Sequence, residues 1–375
     1  DVGCVGFKAL LAAFSSPRAV FSAPAGMLQA VPGIGPKTAD RIRSFSGWAL
    51  AEKEVTRAGE LGVAIVTCED PRYPRNLLNV YDYPPYLYVK GTLSPAEVCI
   101  AVVGSRLAST YGRYVTEKLS RELALAGVTV ASGLARGIDA AAHRGALSGK
   151  GRTIAVLGCG LDVVYPPENR ELAEAVASSG AVVTEFPFQT PPNAPNFPAR
   201  NRIISGISLG VVVVEAGEKS GSLITARIAA DQGRSVFAVP GAIEAAGSRG
   251  TNRLIKQGAK LIENVEDILE EILPQAGLAP TPAASPMPPL PAGTGRPRRD
   301  TIEDTSGAAS PDRSGGLAGT EGPLLPLITQ TPIAVDDLIA ASGLTAQEVL
   351  NDLLVLELQG LIRQLPGKMF QLKES

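Results

Sequence analysis

Residues 100–106 read IAVVGSR and residues 128–137 read VTVASGLARG, so each stretch joins an apolar run to a turn rich in glycine and polar residues. Short uninterrupted apolar runs are typical of strands that are covered on both faces of a sheet. The pattern recurs up to residue 259, and helix-like segments separate the runs. This alternation predicts an α/β fold with a Rossmann-like, doubly wound and mostly parallel sheet.

The predicted elements can be placed along the chain from these patterns. We predict strands at 100–103, 128–131, 153–157, 181–184, 210–214, 235–238 and 260–262, and helices at 112–126, 138–148, 169–178, 223–232, 251–257 and 264–273. A further strand is predicted at 63–67. The prolines that follow it predict extended, looped structure, and we expect the tyrosine-rich stretch 83–88 to pack against the sheet.

Glycine-rich turns follow most of the predicted strands, and in a parallel sheet such turns collect along one edge. Glycine lets the backbone approach a ligand closely, while free N–H groups and the helix dipole attract negative charge. Arginines and one lysine lie in or beside these turns, so this edge fits a polyanion better than one small cofactor. The candidate site residues are Gly104, Ser105, Arg106, Ser132, Gly133, Arg136, Gly137, Phe197, Arg200, Asn201, Arg202, Lys219, Ser220, Gly221 and Ser222.

Composition limits the possible classes of protein. The chain has 375 residues, which suggests two or three domains, and its net charge of −2 means that any polyanion surface is a local patch. Four scattered cysteines without a C-x-x-C pair, and a single histidine, predict neither a metal site nor a disulfide framework and suit a reducing cytoplasm. No apolar run is long enough to span a membrane, and no signal peptide is visible. The abrupt start inside a motif suggests a truncated beginning.

Residues 1–60 predict a helical domain. Residues 31–39 read VPGIGPKTA, which resembles a helix-hairpin-helix, a motif whose hairpin glycines expose N–H groups to a DNA phosphate. A weaker first copy has Cys4 where a glycine is expected, so its phosphate contact is doubtful. A purely structural helical cap is at least an equal alternative for this region.

Two more segments follow the predicted sheet domain at 61–273. Residues 274–320 are rich in proline, glycine, serine and threonine, which predicts a disordered or polyproline-like linker. Residues 321–375 show two helical stripes and a hairpin around Pro366 and Gly367, which predicts a small winged helix. Its second helix carries Glu348, Asp352 and Glu357 but no basic residue, so we expect protein contact rather than DNA reading.

Six motifs in order resemble one protein family, the bacterial DNA-processing DprA/Smf family. They are GSR at 104–106, SGLARGID at 132–139, GCGLD at 158–162, FPARNRIISG at 197–206, SGSLITA at 220–226 and VPG at 239–241. The strong match runs from about 98 to 272, and the helical cap and winged helix resemble that family's accessory domains.

The resemblance implies a non-enzymatic, cytoplasmic protein without a cofactor. It implies single-stranded DNA binding in a basic pocket of the Rossmann-like domain and homodimerisation through that domain. It further implies loading of the RecA recombinase onto incoming strands during natural transformation, with displacement of single-strand-binding protein. By motif position, the expected DNA-pocket residues are Arg106, Arg200, Arg202, Lys219 and Ser220.

Several candidates have a structural alternative. Arg106 would hold a phosphate, or else form an ion pair with a carboxylate, and the glycine turn beside it favours phosphate. Arg200 and Arg202 are two residues apart at a helix start, so they lie on different helix faces and only one is expected to reach DNA. Phe197 would stack on a base, although core packing is the commoner role of a phenylalanine.

The sequence also contains fragments that suggest an enzyme. Asp139 and His143 lie four apart on one predicted helix, so they can pair, and Ser132 nearby suggests a hydrolytic triad. Because Ser132 is not on a G-x-S-x-G elbow and no second histidine exists, we interpret Asp139 and His143 as a structural pair. Residues 145–151 read GALSGKG and fail the Walker A pattern, while residues 104–109 read GSRLAS and fail the dinucleotide pattern.

The main rival is a LOG-like nucleotide-processing hydrolase, which has a similar core and a P-G-G-x-G-T-x-x-E signature. Here residues 215–225 read EAGEKSGSLIT without that signature, which leaves Glu215 open as a pocket acid.

Overall fold

A computed structural model describes two compact units of this chain, Asp1–Pro288 and Pro289–Ser375. The described residues are 2–277, 324–329, 333–342, 344, 348–349, 352–353, 356–357, 361–365 and 369–372. Most of the predicted linker at 274–320, and the Pro366–Gly367 turn, lie outside them.

One mixed sheet organises the first unit. Its strands are β1 (Ala64–Thr67), β2 (Tyr86–Gly91), β3 (Cys99–Val103), β4 (Thr129–Ser132), β5 (Thr153–Val156), β6 (Ala181–Thr184), β7 (Gly210–Val213), β8 (Ser235–Ala238) and β9 (Lys260–Leu261). Their order is β1-β2-β6-β5-β4-β3-β7-β8-β9. All pairs from β6 to β9 are parallel, whereas β2 pairs antiparallel with both β1 and β6. The predicted α/β class and mostly parallel sheet are therefore confirmed.

Strand β2 corrects one expectation. Prolines were expected to keep the tyrosine-rich stretch looped, but the strand begins directly after Pro85 and runs through Tyr86 and Tyr88 to Gly91. Because proline lacks a backbone N–H, it disrupts a sheet only at a position where that N–H would pair with the neighbouring strand. It can therefore stand just before a strand. The stretch is part of the sheet rather than a loop lying against it.

Helices cover both faces of the sheet and form the N-terminal region. They are α1 (Cys4–Phe14), α2 (Pro17–Ser22), α3 (Ala25–Gln29), α4 (Pro36–Arg43), α5 (Trp48–Glu60), α6 (Arg75–Leu78), α7 (Thr110–Leu125), α8 (Ile138–Ser148), α9 (Arg170–Ser179), α10 (Asn196–Gly206), α11 (Gly221–Asp231), α12 (Arg249–Lys256) and α13 (Glu266–Gln275). None of the helices in the described part of the chain is both long and apolar enough to cross a membrane.

The central strand β3 shows why the core is two-sided. Ala101 and Val103 point into one apolar cluster with Ile203 of α10, while Ile100 and Val102 point into the opposite cluster with α7 and α8. Side chains alternate across a strand, so an uninterrupted apolar run fills two cores at once. This packing fixes the helices whose amino ends face the carboxyl edge of the sheet.

The second unit has a winged-helix pattern in its described residues. It contains β10 (Ile333–Ala334), α14 (Val335–Ser342), β11 (Ile362–Leu365) and β12 (Met369–Leu372), and β12 pairs antiparallel with β10 and β11. Leu338, Leu353 and Phe370 are buried in its small core. The predicted helical stripe at 335–339 and the hairpin strands are present, which agrees with the predicted fold class.

Candidate functional site: a basic groove at the carboxyl edge of the sheet

The candidate site lies at the point in the sheet where the strand order reverses, between β3 and β7. From β3 the chain builds β4, β5 and β6 on one side, and then returns to build β7, β8 and β9 on the other. Such a switch point leaves a crevice beyond the strand carboxyl ends, and ligands of doubly wound proteins bind there. The loops after β3 and β7 both open onto this crevice.

Two adjoining cavities form one groove at the switch point. The larger has a volume of about 840 Å³ and the smaller about 320 Å³. The two cavities share six lining residues, Arg106, Leu107, Ala135, Tyr165, Phe197 and Arg200. Twelve of the fifteen candidate residues line this groove. They are Gly104, Ser105, Arg106, Gly133, Arg136, Phe197, Arg200, Asn201, Lys219, Ser220, Gly221 and Ser222.

The loop after β3 presents Arg106 to the groove. Ser105 donates its backbone N–H to the carbonyl of Glu215 at 2.7 Å, which fixes the loop against the end of β7. Arg106 is exposed, and its guanidinium carbon lies 5.2 Å from the centroid of the Phe197 ring. Within residues 2–277 Arg106 forms no ion pair, so the structural alternative suggested by the sequence is not what the fold adopts.

Arg200 forms the floor of the groove. Its residue is 4% exposed, and its Nη1 donates to the carbonyl of Val156. A Cβ at position 133 would lie 2.1 Å from that nitrogen, so the guanidinium can keep this position only while Gly133 carries no side chain. Burial lowers the pKa of Arg200 to about 10, so the guanidinium stays charged at neutral pH. Its Nε is buried and has no hydrogen-bond partner among the described residues.

Arg202 lies outside the groove, on the other side of α10. Its Nε is 3.3 Å from Oδ2 of Asp82, its Nη2 also pairs with Glu185, and the same nitrogen lies 3.8 Å from Sγ of Cys4. Arg202 therefore joins the N-terminal helices to the sheet and does not line the groove, and its contact with DNA stays a prediction. The expectation that only one of the two arginines faces the site agrees with this placement.

Two more candidates are structural residues outside the groove. Ser132 is fully buried and donates its hydroxyl to the carbonyl of Val102 at 2.7 Å, which ties β4 to β3. Gly137 has a φ of 73°, and a Cβ there would lie 2.2 Å from the carbonyl oxygen of Ser105. Both residues shape the loops of the groove without lining it, and their expected direct contact with DNA stays a prediction.

The remaining cations, Arg136 and Lys219, differ in whether a carboxylate already pairs with them. The Nε of Arg136 pairs with Glu168, and both side chains are about half exposed, so an incoming anion would compete with that carboxylate. Lys219 is exposed and precedes α11, where the Ser220 hydroxyl accepts a hydrogen bond from the Ser222 N–H at 3.4 Å. A Cβ added at Gly221 would meet no other atom within 4 Å among the described residues, so open space lies beside this helix start.

Among the groove residues that were not candidates from the sequence, two line both cavities and add apolar or aromatic surface. Tyr165 lines both cavities, and its ring centroid lies 5.8 Å from that of Phe197, which extends the aromatic surface. Leu107 also lines both cavities and is 90% exposed. The only sequence signal for them was adjacency to the GSR and GCGLD motifs.

Asp139 and His143 do not form the expected pair. Asp139 lines the larger cavity and accepts a hydrogen bond from the backbone N–H of Ala135 at 3.4 Å, whereas Nδ1 of His143 lies 2.7 Å from the hydroxyl of Thr153. Burial raises the pKa of Asp139, against the attraction of Arg200, and burial lowers the pKa of His143 to about 3. His143 is therefore a neutral, fully buried residue of α8 that packs against β5.

The Glu215 side chain holds the start of helix α7 in place. Its Oε2 accepts hydrogen bonds from the backbone N–H and the hydroxyl of Ser109, at 3.0 and 2.9 Å, and so holds the residue that caps α7. It does not belong to the lining of either cavity.

The groove carries net positive charge. Four cations line it, Arg106, Arg136, Arg200 and Lys219, against one acid, Asp139, so its formal charge is 4 − 1 = +3 on a chain whose net charge is −2. Within the described residues no group of three or more histidine, cysteine or acidic side chains is placed to hold a metal ion. Fold and site together define a Rossmann-like protein with a positively charged groove at its switch point.

Comparison with known proteins identifies the family. The sequence model described as "DNA recombination-mediator protein A" matches residues 64–273, more than half of the 375 residues. Models of the "DprA winged helix domain" and of a "SAM-like Helix-hairpin-helix tandem" match residues 308–368 and 1–45. Protein Smf of Escherichia coli is 42% identical over 313 residues, which are 83% of this chain and 78% of that protein. The chain belongs to the DprA/Smf family, and the resemblance seen in its motifs is confirmed.

Two solved structures are similar to this one. The X-ray structure of DNA processing protein A from Streptococcus pneumoniae has a TM-score of 0.61 and 34% identity, covering 72% of this chain and 99% of that chain. A structure of the Helicobacter pylori protein, described as giving insights into its unique single-stranded DNA binding mode, has a TM-score of 0.51 and 31% identity, covering 56% and 96% of the two chains.

Proposed function

We propose that this protein binds single-stranded DNA in the groove through backbone phosphates and one stacked base. The observation that carries the proposal is Arg106: an exposed arginine without a carboxylate partner in residues 2–277, held over the Phe197 ring between glycine-rich loops. Arginine beside an aromatic face is a typical contact for unpaired nucleotides. The single-stranded DNA binding described for the H. pylori relative supports the same ligand.

An unpaired strand fits this geometry better than a duplex. Phe197 and Tyr165 can offer a ring face only to a base whose own face is free, and bases in a duplex are already stacked. Arg200 lies buried at the floor of the groove, where its guanidinium adds positive charge beneath a flexible single strand that bends into the groove. Recognition of phosphates and ring faces carries little base preference.

The salt dependence of binding tests this proposal. Each neutralised phosphate of a single strand contributes roughly 0.7 to the slope of log K against log salt concentration. Three or four groove cations therefore predict a slope between about −2 and −3. The measurement is an anisotropy titration of a labelled oligothymidine at several salt concentrations. A slope near zero would contradict a phosphate-binding groove.

We further propose that the chain acts without chemistry, as a homodimer formed through the sheet domain. It would protect incoming DNA and load RecA onto strands coated with single-strand-binding protein during transformation. Glu215 supports the non-enzymatic reading, because the Ser109 contacts occupy the carboxylate that a LOG-like hydrolase would need. RecA filament formation on strands coated with single-strand-binding protein tests the loading role, and sedimentation tests the homodimer. Incubation with nucleoside monophosphates tests the absence of hydrolysis. Base release that disappears in Glu215→Gln would favour the hydrolase.

We propose four segments for this division of labour: 1–60, 61–273, 274–320 and 321–375. Within the second unit, Glu348, Asp352 and Glu357 make the region after α14 acidic, which is unfavourable for phosphate binding. The C-terminal unit is therefore proposed to contact a protein partner, and the groove of the first unit is proposed to carry the strand.

A further inference from the structure

Three aromatic rings from separate elements meet on the surface of the N-terminal helical region. Phe21 belongs to α2, Phe45 follows α4, and Trp48 is the first residue of α5. The Trp48 centroid lies 4.9 Å from both Phe21 and Phe45, and those two are 5.5 Å apart. Gly47 lets the chain turn closely here, because a Cβ at that position would lie 3.0 Å from Cζ of Phe45. We name these three residues the aromatic cluster.

The aromatic cluster is not part of the core of its region. That core is built from smaller aliphatic side chains, including Leu10, Leu28 and Ile42. Phe21, Phe45 and Trp48 remain 38%, 43% and 51% exposed. The exposed surface of these three rings is apolar, so its contact with water is unfavourable, and the rings do not contribute to the core of the region. Contiguous exposed apolar surface of this kind marks an interaction site.

The charge around the aromatic cluster indicates the chemistry of its partner. Residues 1–60 contain seven basic residues (Lys8, Arg18, Lys37, Arg41, Arg43, Lys53 and Arg57) and five acidic ones (Asp1, Asp40, Glu52, Glu54 and Glu60), so this region carries 7 − 5 = +2. Arg18 lies one turn before Phe21 on α2, and Arg43 lies at the end of α4 just before Phe45. Aromatic faces interleaved with arginines suit an unpaired nucleic acid strand, whose bases stack while its phosphates are neutralised.

We infer that the aromatic cluster is a base-stacking platform for the same single strand that the groove binds, so that the strand contacts two separate surfaces of the first unit. The inference rests on the proposed function for the class of ligand and adds a second contact surface to it. A protein partner is the competing occupant, and the basic surroundings favour the polyanion over a protein of unspecified charge.

The chain contains its own probe for this contact. Trp48 is the single tryptophan among 375 residues, so selectively excited tryptophan fluorescence reports on the aromatic cluster alone. A base stacked on the indole should quench that emission. We expect oligothymidine to quench it in a saturable manner, with the same midpoint as binding measured by anisotropy. A matched abasic strand carries the same phosphates without bases, and it should bind more weakly and leave the emission unchanged.

Affinity measurements on variants provide the second readout. Trp48→Ala should weaken binding of a long oligothymidine about tenfold, which corresponds to ~1.4 kcal/mol. Trp48→Phe should restore most of the affinity, since it keeps a ring face. Leu50→Ala is the matched control, because Leu50 is a 71% exposed apolar residue of the same helix without a ring. The control should bind like the unmodified chain.

The outcomes separate the two proposals. Binding of oligothymidine without quenching, together with unchanged affinity in Trp48→Ala, would overturn the stacking platform while the groove proposal stands. Quenching that persists in Arg106→Ala at higher strand concentration would support a platform that acts separately from the groove. Absence of any strand binding would overturn both. Equal quenching by the abasic strand would also refute stacking, since it would show that charge alone alters the emission.

Discussion

Arg106→Ala is the substitution that most directly probes the groove. The side chain is exposed, has no carboxylate partner in residues 2–277 and contacts the Phe197 ring at 5.2 Å, so its removal creates neither a cavity nor an unpaired buried charge. Loss of an exposed cation–π contact costs about 0.5–1 kcal/mol of folding stability at most. Loss of a charge-assisted bond to a phosphate costs about 1.5–3 kcal/mol of binding, or roughly 10- to 150-fold in Kd.

The assay is an anisotropy titration of oligothymidine at several salt concentrations, alongside a thermal melt. Arg106→Ala should shift the binding curve by the factor above for all base sequences and make the log–log salt slope shallower by about 0.7. The matched control is Arg144→Ala, because Arg144 is an exposed arginine of α8 that lines neither cavity, and its slope should not change. Unchanged binding together with a large fall in Tm would refute the reasoning and make Arg106 a structural residue.

Three further predictions concern Gly133 in the groove, the buried His143, and the unit that carries the DNA-binding surface. Gly133→Ala should lose strand binding and about 1–3 kcal/mol of stability, because the added Cβ meets the Arg200 guanidinium at 2.1 Å, while Gly221→Ala, with open space at its Cβ, should melt normally. The pKa of His143 is lowered from 6.5 to about 3 in the folded protein, so the unfolded chain binds the extra proton and stability falls as pH drops below 6.5. His143→Gln should remove about 1.5 kcal/mol of the stability change between roughly pH 6.5 and 5 while leaving strand binding intact, as urea unfolding and titration would show. A chain ending after Gly277 should keep its strand affinity, and a hundredfold loss (~2.7 kcal/mol) would move the DNA surface to the second unit.

The sheet was predictable because its signal is local. Each buried strand is an apolar run, and the predicted bounds at 181–184 and 235–238 match the observed β6 and β8. The glycine–arginine turns were predictable as neighbours because parallel strands bring their carboxyl ends to one edge. Strand β2 was missed because nearby prolines mask its signal.

The partners of individual arginines could not be predicted from the sequence. The Arg136–Glu168 pair joins residues 32 positions apart, and the Arg202–Glu185 pair joins a loop and a helix only after the sheet has formed. Spacing alone showed that Arg200 and Arg202 differ, but not which of them faces the groove. The same limit applies to Tyr165 and to the aromatic cluster, whose members are brought together by tertiary packing.

The central claim, a groove that reads the backbone and ring faces of an unpaired strand, is tested most directly by comparing two forms of one sequence. A labelled single strand and its blunt duplex should be titrated with the full chain at the same salt concentration. We expect the single strand to bind at least tenfold more tightly, a difference of about 1.4 kcal/mol, with that preference much reduced in Arg106→Ala. Equal affinity for the blunt duplex would contradict the account.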